Sequence, residues 1–322
     1  MRAGIDQLLW VVLLAGGAWA AGAELRPEAG VVEGMYVQAR AMLEDKTIRD
    51  VQGVQEMLEQ CDACGHEAAR LLLLDVYEGT RKGIEAAPEK AFRLAGRMAE
   101  TKPAAGEGAE ASAARKEAMY RLALYYEHGT GCQAAPEKAY YWMRRAAMAG
   151  LLKAQVERAR YLMNGVGHEP APREALKLLL WVNTRDPDTP NLFFYLGHAC
   201  MKGIGLPRPN VRMAARFFEM GFQRRDARAT NNLATMYELG IGVSKNTRTA
   251  LRLYKYAADW GCRDASANMQ RLAYKTDSEQ RYSASWQQRV GHAGLRVIRA
   301  LPVAPVLRDW LSVPFNRMAS ES

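Results

Sequence analysis

The sequence has few of the side chains on which catalysis and metal binding depend. Its 322 residues include five cysteines and five histidines. No two histidines share a helix face at metal-ligand spacing; they are His66, His128, His168, His198 and His292. The sequence also lacks H-E-x-x-H, a glycine-rich phosphate loop and G-x-S-x-G. We therefore predict no catalytic residue, no metal site and no cofactor, and we do not expect an enzyme.

Long hydrophobic runs are also missing, apart from a short one at the amino terminus. Arg2 supplies a positive charge, residues 8–15 are apolar, and the small-x-small triplets 18–20 and 21–23 follow. This order is typical of a secretory signal peptide over residues 1–23 and predicts a periplasmic or secreted protein. An uncleaved membrane anchor is the alternative, although residues 8–15 are too short to span a bilayer comfortably.

Cysteine pairs are limited to a single C-x-x-C, formed by Cys61 and Cys64. A zinc site would need a second pair at suitable spacing, and the sequence has none. Haem attachment would need a histidine directly after Cys64, where Gly65 stands instead. Because disulfides persist in exported proteins, we expect a local disulfide between Cys61 and Cys64 at a helix end.

Acidic residues are scarce in the carboxy-terminal part of the chain. The whole sequence has a formal net charge of +9. Residues 201–322 contain 20 Lys and Arg against 9 Asp and Glu, a net of +11, whereas the remainder has 24 against 26. This asymmetry predicts an anionic membrane surface, an acidic polysaccharide or an acidic protein as a partner. The alternative is that arginines solvate the outer helix faces. Nucleic acid is not expected for an exported protein.

No segment alternates Val, Ile and Thr with polar residues, so we expect no sheet. What the sequence does contain is an internal repeat rich in helix-forming residues. Its first glycine recurs at intervals of 36, 38 and 37 residues in the pairs Gly129/Gly131, Gly165/Gly167, Gly203/Gly205 and Gly240/Gly242. A looser copy precedes them at Gly79 and Gly83. A fixed period of this length is typical of helical repeat proteins.

Each repeat has the pattern of two antiparallel helices. The first helix of one repeat has an apolar stripe at helical spacing, formed by Ala118, Leu122, Ala123 and Tyr126. Gly129 ends this helix, because glycine adopts the left-handed capping conformation at little cost. Pro136 opens the second helix. Its stripe is Ala139, Trp142, Met143, Ala146 and Ala147.

The segments YRLALYYEHGTGCQAAPEKAYYWMRRAAMAG and NNLATMYELGIGVSKNTRTALRLYKYAADWG resemble SEL-1-like repeats, which are relatives of the tetratricopeptide repeat. The resemblance covers about residues 67–275. It implies an all-α fold, an α-solenoid with a right-handed superhelix of about five to six antiparallel helix pairs. Residues 24–66 are then expected to be a helical cap or degenerate repeat, 101–115 an insertion loop, and 276–322 a basic, aromatic tail.

The resemblance further implies a concave groove, lined by first helices, that binds other proteins or peptides. The positions expected in the groove are Tyr120, Leu124, Glu127, His128, Phe194, His198, Met201, Asn231, Thr235 and Glu238. The predicted function is a protein-binding adaptor or assembly scaffold of the bacterial envelope. One alternative is a secreted effector or host-interacting repeat protein. Another is a β-lactam-binding envelope hydrolase, an activity credited to some relatives, although the sequence shows no nucleophile arrangement for it.

Overall fold

The computed structural model describes residues 28–44, 51–79, 84–102 and 108–278. Every regular element in these ranges is an α-helix, as predicted. The helices, numbered α1 to α13 in chain order, are Ala29–Glu44, Val51–Ala63, Glu67–Tyr77, Pro88–Glu100, Ala109–His128, Pro136–Met148, Leu152–Asn164, Pro172–Arg185, Leu192–Lys202, Val211–Gln223, Ala227–Leu239, Thr247–Asp259 and 263–278. The predicted signal peptide, and the predicted tail beyond residue 278, lie outside the described residues.

Consecutive helices pack as pairs: α1 with α2, α3 with α4, α5 with α6, α7 with α8 and α11 with α12. We call α3, α5, α7, α9 and α11 the first helices, and the helices that follow each of them the second helices. Short turns make the two helices of a pair antiparallel. Between α4 and α9 successive pairs also contact one another, α4 with α5, α6 with α7 and α8 with α9. The fold is the predicted all-α repeat solenoid. The chain divides between Met220 and Gly221 into two compact units, called unit 1 and unit 2 below.

The Gly-x-Gly motif ends the first helix and brings the chain against the preceding repeat. Gly129 caps α5 with a left-handed φ of 70°. Gly131, at φ 69°, lies so close to the start of α4 that a Cβ atom there would be 2.1 Å from the carbonyl oxygen of Pro88. Gly167 stands in the same relation to Pro136, at 2.0 Å. The second glycine of the motif therefore permits close contact between successive repeats.

The predicted stripe of α5 is confirmed except at its tyrosine. Three of the four members are buried: Ala118, Leu122 and Ala123. Tyr126 is only half-buried, and its neighbour Tyr125 is buried instead. The helical period permits either residue to be buried, because they lie three and four residues after Leu122, so packing against neighbouring helices decides between them. Tyr126 lies at the margin of the buried face, where it packs edge-on against Phe92 with ring centroids 5.2 Å apart.

The other predicted stripes are largely as expected. All five members of the second-helix stripe are buried: Ala139, Trp142, Met143, Ala146 and Ala147. Ahead of the repeats, α1 and α2 form a further pair whose buried residues include Met35, Ala39, Leu43, Val54 and Leu58. The predicted insertion loop is shorter than expected, because α5 already begins at Ala109 and residues 109–115 are helical.

Candidate functional site

Glu127, a predicted groove residue, lies in the last turn of α5 at a junction between two repeats. It accepts hydrogen bonds from both terminal nitrogens of Arg160 (2.7 and 2.6 Å) and from the Tyr161 hydroxyl (2.7 Å), which belong to α7. Burial alone would raise the pKa of Glu127, but the hydrogen bonds from Arg160 and Tyr161 outweigh it and hold that pKa below its ordinary value. Glu127 is therefore an ion-paired carboxylate that joins α5 to α7.

A similar junction joins the preceding pair of first helices. Glu78, directly after α3, accepts a hydrogen bond from Arg121 of α5 at 3.0 Å and another from the Tyr125 hydroxyl. Arg121 also donates to Asp75 at 2.6 Å and to Glu117 at 3.1 Å. Burial and the hydrogen bond to Glu78 both raise the pKa of Tyr125, so its hydroxyl stays protonated and donates.

Unit 2 contains a third arrangement of the same three residue types. Glu238, in the last turn of α11, accepts hydrogen bonds from both terminal nitrogens of Arg271 on α13, each at 2.8 Å. The Tyr254 hydroxyl donates to the same carboxylate at 2.8 Å. We call these three sets the glutamate junctions, centred on Glu78, Glu127 and Glu238. The predicted groove positions Glu127 and Glu238 are thus engaged within the chain.

The other predicted positions of unit 2 also make contacts inside the unit. The Thr235 hydroxyl lies 2.9 Å from the Tyr254 hydroxyl and donates to the backbone oxygen of Asn231 at 3.1 Å. The side-chain oxygen of Asn231 accepts a hydrogen bond from Asn268 at 3.1 Å. The structure therefore brings Asn231, Thr235 and Glu238 onto one surface, but each of them holds neighbouring helices together.

The predicted positions of unit 1 differ in how much of each side chain reaches solvent. Tyr120 lies beneath Lys153, whose Nζ atom is 4.6 Å from the ring centroid, and Leu124 packs half-buried against the core. Phe194 and His198 stack on one another with ring centroids 6.1 Å apart, and both are half-buried. The remaining two positions are Met201, which is half-buried, and His128, which is exposed.

Comparison with known families agrees with this geometry. Four segments match the family model of the Sel1 repeat, residues 116–151, 152–180, 194–224 and 227–261. The chain carries Sel1 repeats. The segments cover most of the helices α5 to α12, and three of the matched segments contain residues of the glutamate junctions. Proteins with Sel1 repeats generally mediate protein–protein interactions and are generally non-catalytic.

Individual relatives are distant. Chitin synthase regulatory factor 3 of Schizosaccharomyces pombe is 26% identical over 225 residues, which are 69% of this chain and 19% of that protein. The chain thus matches about a fifth of its relative's length. A Sel1 repeat protein from Oxalobacter formigenes has a TM-score of 0.54 at 22% identity, covering 72% of this chain and 86% of the other. An immunity protein from Pseudomonas aeruginosa has a TM-score of 0.46 at 16% identity, covering 73% and 83% respectively. The Oxalobacter structure supports the fold alone.

The second helices of the Sel1 array carry exposed aromatic side chains that the sequence reasoning did not single out. On α6, the Arg145 guanidinium lies 5.7 Å from the ring of the exposed Tyr141 and 4.9 Å from that of Trp142, a buried member of the predicted stripe. On α8, the Arg185 guanidinium lies 5.5 Å from the ring of Trp181. In each case the arginine follows its aromatic partner by three or four residues, which is the spacing of neighbours on a helix surface.

A cleft of about 380 Å³ opens between α4, α5 and α6 of the array. Its lining contains three basic residues and one acidic residue among others: Glu100, Thr101, Lys102, Arg115, Met119, Arg145, Met148 and Ala149. Within residues 28–44, 51–79, 84–102 and 108–278, no group of three His, Cys, Asp or Glu side chains is placed to hold a metal ion. In the same ranges no helix has the length and hydropathy needed to cross a membrane.

Cys61 and Cys64 lie at the end of α2, and their thiols are free in the structure. The buried Cys61 Sγ atom donates to the backbone oxygen of Val32 at 3.6 Å. Burial raises the pKa of this thiol to about 11, so a reduced Cys61 is protonated at neutral pH and reacts slowly.

The predicted disulfide between Cys61 and Cys64 stays a prediction. We expect the exported protein to contain at most this one disulfide, so that its intact mass without reductant is at most two hydrogens below the reduced mass. Peptide mapping would locate the bond. Bridges within one chain among the other cysteines, Cys132, Cys200 and Cys262, would contradict the prediction, because these residues belong to different Sel1 repeats.

Proposed function

We propose that this chain is a protein-binding adaptor or assembly scaffold of the bacterial envelope, and that partners bind on the first helices. The general role of Sel1 repeats in protein–protein interaction supports binding as the activity. The signal-peptide pattern of residues 1–23 supports export. The cleavable leader, the bacterial envelope and the identity of the partner all belong to this proposal.

The proposal rests on the first-helix surface of unit 1, which is ordered and partly exposed. The glutamate junctions at Glu78 and Glu127 hold successive first helices in fixed positions. His128 is exposed on α5, one of the joined helices, and the stacked pair of Phe194 and His198 is half-exposed on the further first helix α9. A surface that is already ordered loses little conformational entropy when a partner binds, and aromatic side chains are enriched among residues that dominate binding energy.

Site-specific photo-crosslinking in the native bacterium tests this assignment. A benzoylphenylalanine in place of His128 should crosslink a defined partner, because this side chain is exposed beside the proposed surface. The same photoprobe in place of Arg144, an exposed residue of the second helix α6, is the matched control and should not. Adding Phe194→Ala and His198→Ala to the His128 probe should remove most of the adduct. Equal crosslinking from both probe positions would refute binding on the first helices.

Fractionation tests the cellular site of the proposal. Mature protein beginning near residue 24 in the periplasm would support the envelope adaptor. Recovery of the protein mainly from the medium would favour the secreted effector. Covalent labelling by a β-lactam probe would instead favour the envelope hydrolase and overturn the non-catalytic assignment.

A further inference from the structure

The outer face of α12 in unit 2 carries a stripe that the first-helix proposal does not use. Arg248, Arg252, Tyr256 and Trp260 follow one another at intervals of four residues, so they lie on one side of the helix. The opposite side is the buried one, with Ala250, Leu253, Tyr254 and Ala257. From its first to its last residue the stripe extends about 18 Å at the rise of an α-helix. We call Arg248, Arg252, Lys255, Tyr256 and Trp260 the α12 stripe.

The aromatic side chains at the carboxy-terminal end of the α12 stripe pack against one another within the protein. The rings of Tyr256 and Trp260 stack with centroids 5.8 Å apart. Phe222, in the last turn of α10, completes the cluster at 5.9 Å from Tyr256 and 5.7 Å from Trp260. Tyr256 is 46% exposed, whereas Phe222 and Trp260 are half-buried. The cluster is thus an ordered aromatic patch that is partly exposed at the surface.

Three cations form the basic end of the α12 stripe. Arg248, Arg252 and Lys255 are exposed, and within the described part of the chain none of them forms an ion pair. Some exposed cations elsewhere are ion-paired, for example Arg93 on α4, which lies 3.2 Å from Glu89. Unpaired cations beside an aromatic patch leave both charge and apolar surface available to another molecule.

We propose that the α12 stripe docks an acidic protein segment that carries at least one large apolar side chain. The acidic residues pair with Arg248, Arg252 and Lys255, and the apolar side chain covers Tyr256 and its two aromatic neighbours. Tryptophan, tyrosine and arginine are the residues most enriched at the centres of protein interfaces. This surface lies on a second helix and goes beyond the proposed function, which concerns the first helices.

Two other anionic partners fit the stripe less well. An acidic polysaccharide would stack its sugar rings on open aromatic faces, but here Tyr256 and Trp260 stack on one another and Phe222 packs against Trp260. An anionic membrane would take up aromatic side chains that protrude, but Phe222 and Trp260 are half-buried in the protein surface. An ordered aromatic patch with a basic border matches a protein segment that carries both acidic and apolar side chains.

Fluorescence anisotropy on the full mature chain tests the proposal with a synthetic labelled peptide that contains six glutamates, one leucine and one tryptophan. The variant R248E/R252E should weaken binding of this peptide at least tenfold. The control R144E/K177E makes the same change in charge at exposed positions on α6 and α8 and should weaken binding less than twofold. The variant Y256A should weaken binding of this peptide, but not of a peptide with alanine in place of leucine and tryptophan.

Circular dichroism establishes that each variant is folded, and R248Q/R252Q replaces the charge reversal if that variant does not fold. Equal weakening by the stripe variant and the control would overturn the proposal, because it would show general charge attraction only. The proposal also fails if phosphatidylglycerol vesicles or alginate bind with the same dependence on the stripe and the peptide does not. Crosslinking from the His128 position should persist in R248E/R252E, so the first-helix proposal and the α12 stripe can fail separately.

Discussion

Replacing Gly167 by alanine is expected to lower the free energy of unfolding by about 4 kcal/mol, which is among the largest effects that single substitutions produce. Two costs combine at this position. The φ of Gly167 is +63°, where a residue with a Cβ atom is strained by roughly 1–2 kcal/mol. The new Cβ atom would also lie 2.0 Å from the backbone oxygen of Pro136, at the start of the preceding second helix. That backbone cannot yield without separating two repeats.

Gly150 provides the matched control for this prediction. It also has a positive φ, +91°, but a Cβ atom there would meet nothing within 4 Å. Gly150→Ala should therefore lower the free energy of unfolding only by the backbone strain at positive φ, roughly 1–2 kcal/mol. Urea denaturation followed by circular dichroism measures both variants. If the two substitutions destabilise the protein equally, the contact between Gly167 and Pro136 does not hold successive repeats together.

The Gly-x-Gly motif shows how much of the fold can be predicted from the sequence. The Gly-x-Gly spacing predicts where first helices end, since a left-handed cap is a local property of the chain. It does not predict that the second glycine contacts a proline 31 residues earlier, because that contact depends on how two repeats stack. Tyr125 and Tyr126 differ in burial for a related reason. The period of a helix permits either to lie on the stripe, and packing against Phe92 places Tyr126 at its margin.

Prediction of the candidate site reaches a similar limit. The repeat pattern places Glu127 and Glu238 correctly in the last turns of first helices, but it does not show that both carboxylates are engaged. A detectable signal was present, since each glutamate stands two residues before a capping glycine. Their partners Arg160 and Arg271 follow 33 residues later in both cases. A search for charged residues recurring at nearly one repeat period would have found these junctions.

Replacing Arg160, the cation of the Glu127 junction, by methionine is expected to lower the free energy of unfolding by about 3 kcal/mol at pH 7. This value is at the lower end of the range for breaking a buried ion pair, because both partners retain some exposure. In Arg160→Met the Glu127 carboxylate stays largely covered but loses the two guanidinium hydrogen bonds of 2.7 and 2.6 Å. Chemical denaturation measures the loss. Arg93→Met is the control, since the exposed pair of Arg93 and Glu89 should change stability by less than about 1 kcal/mol.

The loss of stability in Arg160→Met should depend on pH, and the lowered pKa of Glu127 determines the direction of this dependence. In the folded protein the pKa of Glu127 lies below its ordinary value, and the hydrogen bonds from Arg271 likewise lower the pKa of Glu238. A lowered folded pKa means that the unfolded chain takes up protons first as the pH falls, so the ion pair stabilises the protein above the ordinary glutamate pKa and this contribution is lost below it. The wild-type protein should therefore lose stability as the pH drops below about 5.

The difference in stability between wild type and Arg160→Met should shrink over the same pH range, because a protonated Glu127 gains little from the guanidinium. Arg93→Met should show no such convergence.

The variant Glu127→Gln should itself flatten the pH dependence of stability. Adding Arg160→Met to this variant should cost less stability than Arg160→Met alone by about 1–3 kcal/mol, as expected for residues in one hydrogen-bonded network. A constant difference between wild type and Arg160→Met from pH 7 to pH 3 would show that Arg160 acts through packing alone. The glutamate junctions would then not make the stacking of the repeats sensitive to acid.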